Sequence, residues 1–452
     1  MTILDDATAG MDSSVRPQDD LFGHVNGTWL ATAEIPADRS SWGPFVELAD
    51  EAEERVRTII EEFGARAEAG EVEPGSNAQK IGDLYASFMD EEAVEARGAE
   101  PIQPRLSAAY ALASVADLPR FVGEIERAGG GGLFGSYVDS DDRDSDRYLV
   151  NLTQGGLGLP DESYYREEKF DQIRTAYRAH LERMFGLAGV ADPAGEAQRV
   201  YDVEAYLAQG HLERAETRDV LKSYNLHTRA ELENLAPAFD WTAYGAGLDA
   251  KDVVLAEVNV RQPKYLEHLS AALGEIPIES WRSWVAIRII RAAAPYLSTP
   301  FVEENFDFYG RTLSGTPELR ARWKRGVAFV EGSVGEAVGE EYVARHFPPS
   351  SKAAMDALVA NLLKAYRVSI ESLDWMGEET KQRAYKKLDT FLPKIGYPKK
   401  FRDYSTLTVV KDDLLANVVA VAAFETDRQL NKIGTPVDRD EWFMLPQTVN
   451  AY

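Results

Sequence analysis

Apolar residues recur at helical spacing along most of the 452-residue chain. From Ile81 they fall at Ile81, Leu84, Tyr85, Phe88 and Met89, the i, i+3, i+4, i+7, i+8 rhythm that lines one face of an α-helix. A longer stripe runs Met355, Leu358, Val359, Leu362, Leu363, Tyr366 and predicts a second helix with a buried face. Further helices are predicted around 45–63, 166–186, 194–212, 279–297, 317–338 and 411–430. Thr316-Pro317-Glu318 reads as an N-cap followed by proline at the first helical position. Extended runs are fewer: Arg147–Leu152, Asp252–Val258 and Trp442–Ala451. The pattern predicts a mainly α protein with minor β-strands. Breaks at 64–76, 128–135, 155–160, 347–351 and 394–400 are too short for flexible interdomain linkers, and no internal repeat is present.

Composition narrows the class. With 44% hydrophobic and 27% charged residues the chain is an ordinary globular sequence, long enough for about two to four packed units. Lys+Arg 49 against Asp+Glu 75 leaves a net charge of −26, which repels phosphate backbones and argues against a nucleic-acid partner. The absence of cysteine excludes disulfide scaffolds, cysteine zinc sites, iron–sulfur clusters and thiol nucleophiles. The opening MTILDDATAGMDSSVRPQDD has no basic segment followed by an apolar one, so no ordinary signal peptide is expected. No stretch approaches the ~18 apolar residues that suggest a transmembrane helix. These features leave the cytoplasm and export by another route both open.

Candidate chemistry is sparse. Gly130-Gly-Gly132-Leu-Phe-Gly135 fits the letters of a dinucleotide fingerprint, but a helix precedes it and a strand follows, the reverse of what phosphate binding requires. It reads as a helix-to-strand turn. Asp139 to Asp146 holds five carboxylates but lacks the sixth-position glycine of a calcium loop, and reads as a solvated acidic turn. The histidines, His24, His180, His211, His227, His268 and His346, include no i, i+4 pair of the kind that grips zinc on one helix face. Glu204 and His211 are seven apart and are expected to form a structural hydrogen-bonded pair.

Longer motifs carry a resemblance. Arg16-Pro-Gln-Asp-Asp-Leu-Phe-Gly-His-Val-Asn-Gly-Thr-Trp-Leu30, followed by Glu34-Ile-Pro-Ala-Asp38, resembles the opening of the neprilysin-like (M13) zinc metalloendopeptidases, particularly the actinobacterial members. The likeness continues in order through Lys80–Asp90, Gln154-Gly-Gly-Leu-Gly-Leu-Pro-Asp-Glu-Ser-Tyr-Tyr165, Val203–Ala208, Arg218-Asp219 and Tyr224-Asn225. It goes on through Arg322-Trp-Lys-Arg325, Trp375-Met376, Thr380-Lys381 and Ile395-Gly-Tyr-Pro398, covering essentially the whole chain.

The resemblance implies two mainly helical lobes around a large cavity. An N-terminal arm (1–37) would pack on the catalytic lobe, 38–395 would form most of the capping lobe, and 396–452 would begin the catalytic lobe. Val449-Asn-Ala-Tyr452 looks like the family's edge-strand motif, in which Asn450 and Ala451 would bind the main chain of a peptide substrate by strand addition. Phe45 matches an aromatic near a substrate subsite, though a core role suits it equally. Ser41 stands where neprilysin has an arginine that pairs with a substrate's terminal carboxylate, which favours plain endopeptidase action. In the family the H-E-x-x-H helix and the third, glutamate ligand follow the Asn-Ala motif, and no H-E-x-x-H occurs in these 452 residues. The single Zn²⁺ is therefore expected on a C-terminal segment beyond them, in the same chain or another. Without its lowered-pKa water, this stretch alone should be inactive. The alternative is a non-catalytic helical binding or scaffold protein derived from the capping lobe, which a stop codon after Tyr452 with no nearby continuation would favour.

Overall fold

The computed structural model describes residues 8–451; residues 1–7 of the arm and Tyr452 of the Asn-Ala-Tyr motif lie outside them. The first helices are α1 (Leu21–Thr32), α2 (Pro44–Glu68), α3 (Asn77–Met89), α4 (Glu91–Arg97), α5 (Gln103–Tyr110) and α6 (Leu118–Arg127). A β-hairpin, β1 (Phe134–Asp141) and β2 (Asp144–Gln154), leads to α7 (Asp171–Leu187) and α8 (Pro193–Gln209). Then come β3 (Leu226–Thr228), α9 (Arg229–Leu235), α10 (Trp241–Gly247), β4 (Glu257–Val260), α11 (Pro263–Glu275), α12 (Ile278–Ala293) and α13 (Thr299–Phe306). The chain continues through α14 (Arg322–His346), α15 (Pro349–Ser372), α16 (Glu378–Asp389) and α17 (Leu414–Leu430). The strands form one sheet in the order β1-β2-β4-β3, antiparallel except for the β2–β4 pair. Among the described residues no helix is long and apolar enough to cross a membrane.

Two hydrophobic cores organise the molecule. The first draws its buried side chains from Ile102 to Phe308, the second from Val56–Phe88, Val327–Val338 and Tyr404–Leu414. The chain thus enters the second core, leaves it to build the first, and returns. α3 shows how sequence produces this. Ser76 caps it by accepting from the Gln79 amide at 3.2 Å, and Ile81, Leu84, Tyr85 and Phe88 are buried as their spacing predicts. They meet Val56, Ile59, Ile60 and Phe63 of α2 and Val327, Val330 and Val334 of α14. Each such side chain stabilises the fold by about 1.5–3 kcal/mol. The interhelix approach needs Gly82, where a Cβ would lie 3.0 Å from the Phe63 carbonyl oxygen.

Several elements depart from the sequence expectation. The helix placed at Pro317 starts at Arg322, because the Glu318 amide donates to the Ala37 carbonyl (3.0 Å) and the Pro317 carbonyl accepts from Arg311 Nε (3.0 Å). One group is spent on a long-range bond and the other on a local side chain, rather than on a first helical turn. The run Asp252–Val258 divides into a 3₁₀ turn, Asp252–Leu255, that buries Val254 and Leu255, followed by β4. Trp442–Ala451 is not a strand. Leu445 and Pro446 instead sit against Gly335 and Gly339 of α14, and Gln447 Nε2 donates to Glu331 Oε1 (3.0 Å) and the Gly335 carbonyl (3.2 Å). Pro446 has no amide to give a ladder. The glycine-rich stretch is the expected helix-to-strand turn between α6 and β1, and the acidic run is the tip of the β1–β2 hairpin. The helix predicted from the Met355 stripe exists as α15, but none of its residues is buried.

Candidate functional site

Residues 445–447 fix the approach to Asn450 and Ala451. α14 breaks helical geometry at Val334 (φ −133°, ψ 35°), just before Gly335. A Cβ at Gly335 would lie 2.5 Å from Leu445 Cδ1, and one at Gly339 2.9 Å from Pro446 Cδ. The two glycines, one helical turn apart, open a notch that admits the returning chain. Gln447 is buried there, and its bond to Glu331 draws that carboxyl's pKa down against a larger upward push from burial.

Beyond this anchor Val449 is half-buried, and Asn450 and Ala451 are exposed. The Asn450 amide donates to the Thr448 carbonyl (3.0 Å), and the Ala451 amide donates to Asn450 Oδ1 (2.9 Å). Phe45 lies in the first turn of α2 behind Pro44 and is 74% exposed, so its place is the surface and not a core. Ser41, just upstream, is also exposed. Phe45 and the 445–447 anchor sit on α2 and α14, which pack against each other in the second core. The polar pair Glu53–Arg320 (2.7 Å) holds α2 to the segment entering α14.

Two further helices leave apolar side chains exposed. α1 buries no residue, and its Leu21 and Phe22 are 63% and 66% exposed. α15 exposes Met355, Leu358, Leu362, Tyr366 and Val368, and Trp375 follows at 76%. Amphipathic helices of this kind normally bury the apolar face.

Glu204, His180 and His211 serve the interior. Glu204 is fully buried and accepts from the hydroxyls of Tyr165 (2.7 Å) and Tyr177 (2.8 Å), with Arg288 3.7 Å away. It does not pair with His211, which lies past the end of α8; His211 Nε2 bonds the Gly155 carbonyl (2.9 Å), and burial pushes its pKa down to about 4. The conspicuous turn Gly155–Leu159 is held the same way: Trp284 Nε1 donates to the Gly156 carbonyl (3.0 Å), and the Gly158 and Leu159 amides donate to Tyr165 Oη. His180 bonds Glu304 (2.8 Å). Among the described residues no group of three or more His, Asp or Glu side chains could hold a metal ion. The described residues do not fit a zinc site.

Comparison with known proteins gives the kinship. The sequence profile of peptidase family M13 matches residues 17–398. Zinc metalloprotease Zmp1 of Mycobacterium tuberculosis, solved in complex with an inhibitor, superposes with a TM-score of 0.93 at 48% identity, over 98% of this chain and 67% of that one. Human endothelin-converting enzyme 1 is 26% identical across 100% of this chain and 60% of its own length. Mouse neprilysin is 26% identical across 98% of this chain and 63% of its own. The chain thus spans about three fifths of the length of the curated relatives it matches. Its motifs, its two helical cores and this likeness agree: the chain belongs to peptidase family M13.

Proposed function

We propose that residues 1–452 form the substrate-enclosing part of a neprilysin-like zinc endopeptidase that cuts oligopeptides, with the zinc ligands on a segment outside these residues. The observations that carry this reading are the apolar side chains left exposed on α1, on α15 and at Phe45, in a chain covering 59–60% of relatives such as the endothelin-converting enzymes. Soluble monomers seldom expose contiguous apolar patches beyond a few hundred Å² unless they serve an interface. In this reading the core of 102–308 is the capping lobe, while the arm (1–37) and 396–452 belong with the catalytic lobe. Asn450 and Ala451 bind a peptide main chain once a neighbouring strand orders them, and Phe45 contacts a substrate side chain. Ser41 offers no charge to a terminal carboxylate, which favours internal cleavage.

The test is to express residues 1–452 fused to their natural continuation and to follow an internally quenched peptide. The expected result is cleavage that is lost with a chelator, restored by zinc, and given a raised KM by Asn450→Ala. A fusion that binds zinc and leaves every peptide intact would refute the reading.

A further inference from the structure

Two arginines deep in the first core share a single carboxylate. Arg288 and Arg291, three residues apart on one face of α12, look toward Glu204 of α8 and the turn at Gly158. Arg288 Nη2 stands 3.7 Å from Glu204 Oε1, too far for a hydrogen bond, and its guanidinium lies over the Trp284 ring at 4.7 Å. Arg291 Nη2 reaches the Gly158 carbonyl at 3.4 Å, and its guanidinium lies over the Tyr309 ring at 4.8 Å. Arg288 Nε and Nη2, Arg291 Nη1 and Glu204 Oε1 are all buried without a hydrogen-bond partner.

The charges here do not balance. Arginine keeps its proton even where burial lowers its pKa, as it does at Arg288. Glu204 answers one of the two guanidiniums, and Arg291 forms no ion pair among the described residues. Burial pushes the pKa values of Tyr165, Tyr177 and Tyr309 up and so keeps their hydroxyls neutral. It pushes that of His180 down, which keeps the ring neutral too, and its partner Glu304 is balanced by Arg183 (2.6 Å). One positive charge is left over. A buried charge without a counterion is among the costliest features a core can hold.

There is space beside that charge. Protein surrounds Tyr165, Arg288, Arg291 and Tyr309, yet each keeps part of its surface accessible, and for the Arg288 side chain that part is 11%. Gly158 helps to keep the space open, since a Cβ there would lie 2.9 Å from Arg291 Nη1 and 1.7 Å from Tyr177 Oη. Openings of this size suit a single ion and not an organic acid. We propose that Arg288 and Arg291 bind one chloride ion, which accepts from Arg288 Nε and Nη2 and from Arg291 Nη1 and neutralises the surplus charge. The ion fastens α12 to the Gly155–Leu159 turn and makes the stability of the first core depend on chloride.

Urea unfolding of the 452-residue chain tests this, with chloride exchanged for gluconate, an anion too large for the space, at constant ionic strength. Above the dissociation constant, each tenfold rise in chloride should raise the ratio of folded to unfolded protein by about tenfold. Arg291→Leu removes the surplus charge and should remove the chloride dependence with it, leaving any general salt effect in place. Crystals of the wild-type chain soaked in sodium bromide give a second reading that needs no variant to fold. They should show an anomalous peak within hydrogen-bond reach of both guanidiniums. Equal stability of the wild type in chloride and gluconate would overturn the proposal. So would a chloride dependence that Arg291→Leu keeps in full, or a bromide-soaked crystal with only water between the two arginines.

Discussion

Glutamine in place of Glu126 should make the protein more stable at alkaline pH. Glu126, in the last turn of α6, accepts from Tyr244 Oη (2.5 Å) and Ser136 Oγ (3.3 Å) through Oε2. Its Oε1 has no hydrogen-bond partner and faces Gly132, where a Cβ would stand only 1.5 Å away. Burial raises its pKa from 4.5 to about 7, against the smaller lowering pull of the two hydroxyls. A carboxyl whose folded pKa exceeds its unfolded one favours the folded state fully below the unfolded value, and that contribution is lost as pH rises through the folded one. A rise of about 2.5 units amounts to about 3 kcal/mol in total, most of it lost between pH 5 and pH 8. Glutamine is neutral throughout and keeps an acceptor for Tyr244. Urea unfolding of wild type and Glu126→Gln at pH 5 and pH 8 isolates this group, since other titrating groups cancel in the difference. The variant should gain on the order of 2 kcal/mol relative to wild type on going from pH 5 to pH 8. Parallel pH profiles for the two proteins would refute the reasoning.

Other outcomes follow from close backbone approaches and exposed faces. Gly247→Ala places a Cβ 2.1 Å from the Arg120 carbonyl oxygen, where α10 crosses α6, and should cost at least about 2 kcal/mol in denaturant unfolding. Gly339→Ala drives a methyl into the Pro446 ring and should release residues 442–451, seen as faster amide exchange there while α3 stays protected. Leu358→Glu with Leu362→Glu should change unfolding free energy by less than about 0.5 kcal/mol and reduce binding of an apolar dye, because both side chains are already exposed.

How far the sequence could be read depended on where each segment's cover lies. The Ile81–Phe88 stripe was legible because its partners are inside the chain and the helix carries its own cap at Ser76. The Met355–Tyr366 stripe gave the helix correctly but not its burial, since periodicity shows which face is apolar and not what meets it. Pro317 looked like a helix start, and two hydrogen bonds, one from Arg311 and one to Ala37, claim the carbonyl and amide of the peptide unit that follows it. Trp442–Ala451 looked extended, whereas Leu445, Pro446 and Gln447 anchor it through side chains. Its receiving notch had a signal, the small residues Gly335 and Gly339 four apart, that alternation of apolar and polar positions does not reveal. Family membership was written in dispersed motifs. Of these, the Gln154–Tyr165 turn proves to be a node of buried hydrogen bonds from Trp284, Tyr165 and Tyr265.

Hydrogen–deuterium exchange on residues 1–452, alone and extended by their natural continuation, bears most directly on the proposal that the exposed apolar side chains of α1 and of α15 receive a zinc-bearing segment. The account predicts exchange slowed at least about tenfold across Leu21–Thr32 and Pro349–Ser372 in the extended chain, with α7 and α12 unchanged. Unchanged exchange in both helices of an extended chain that binds zinc would contradict it.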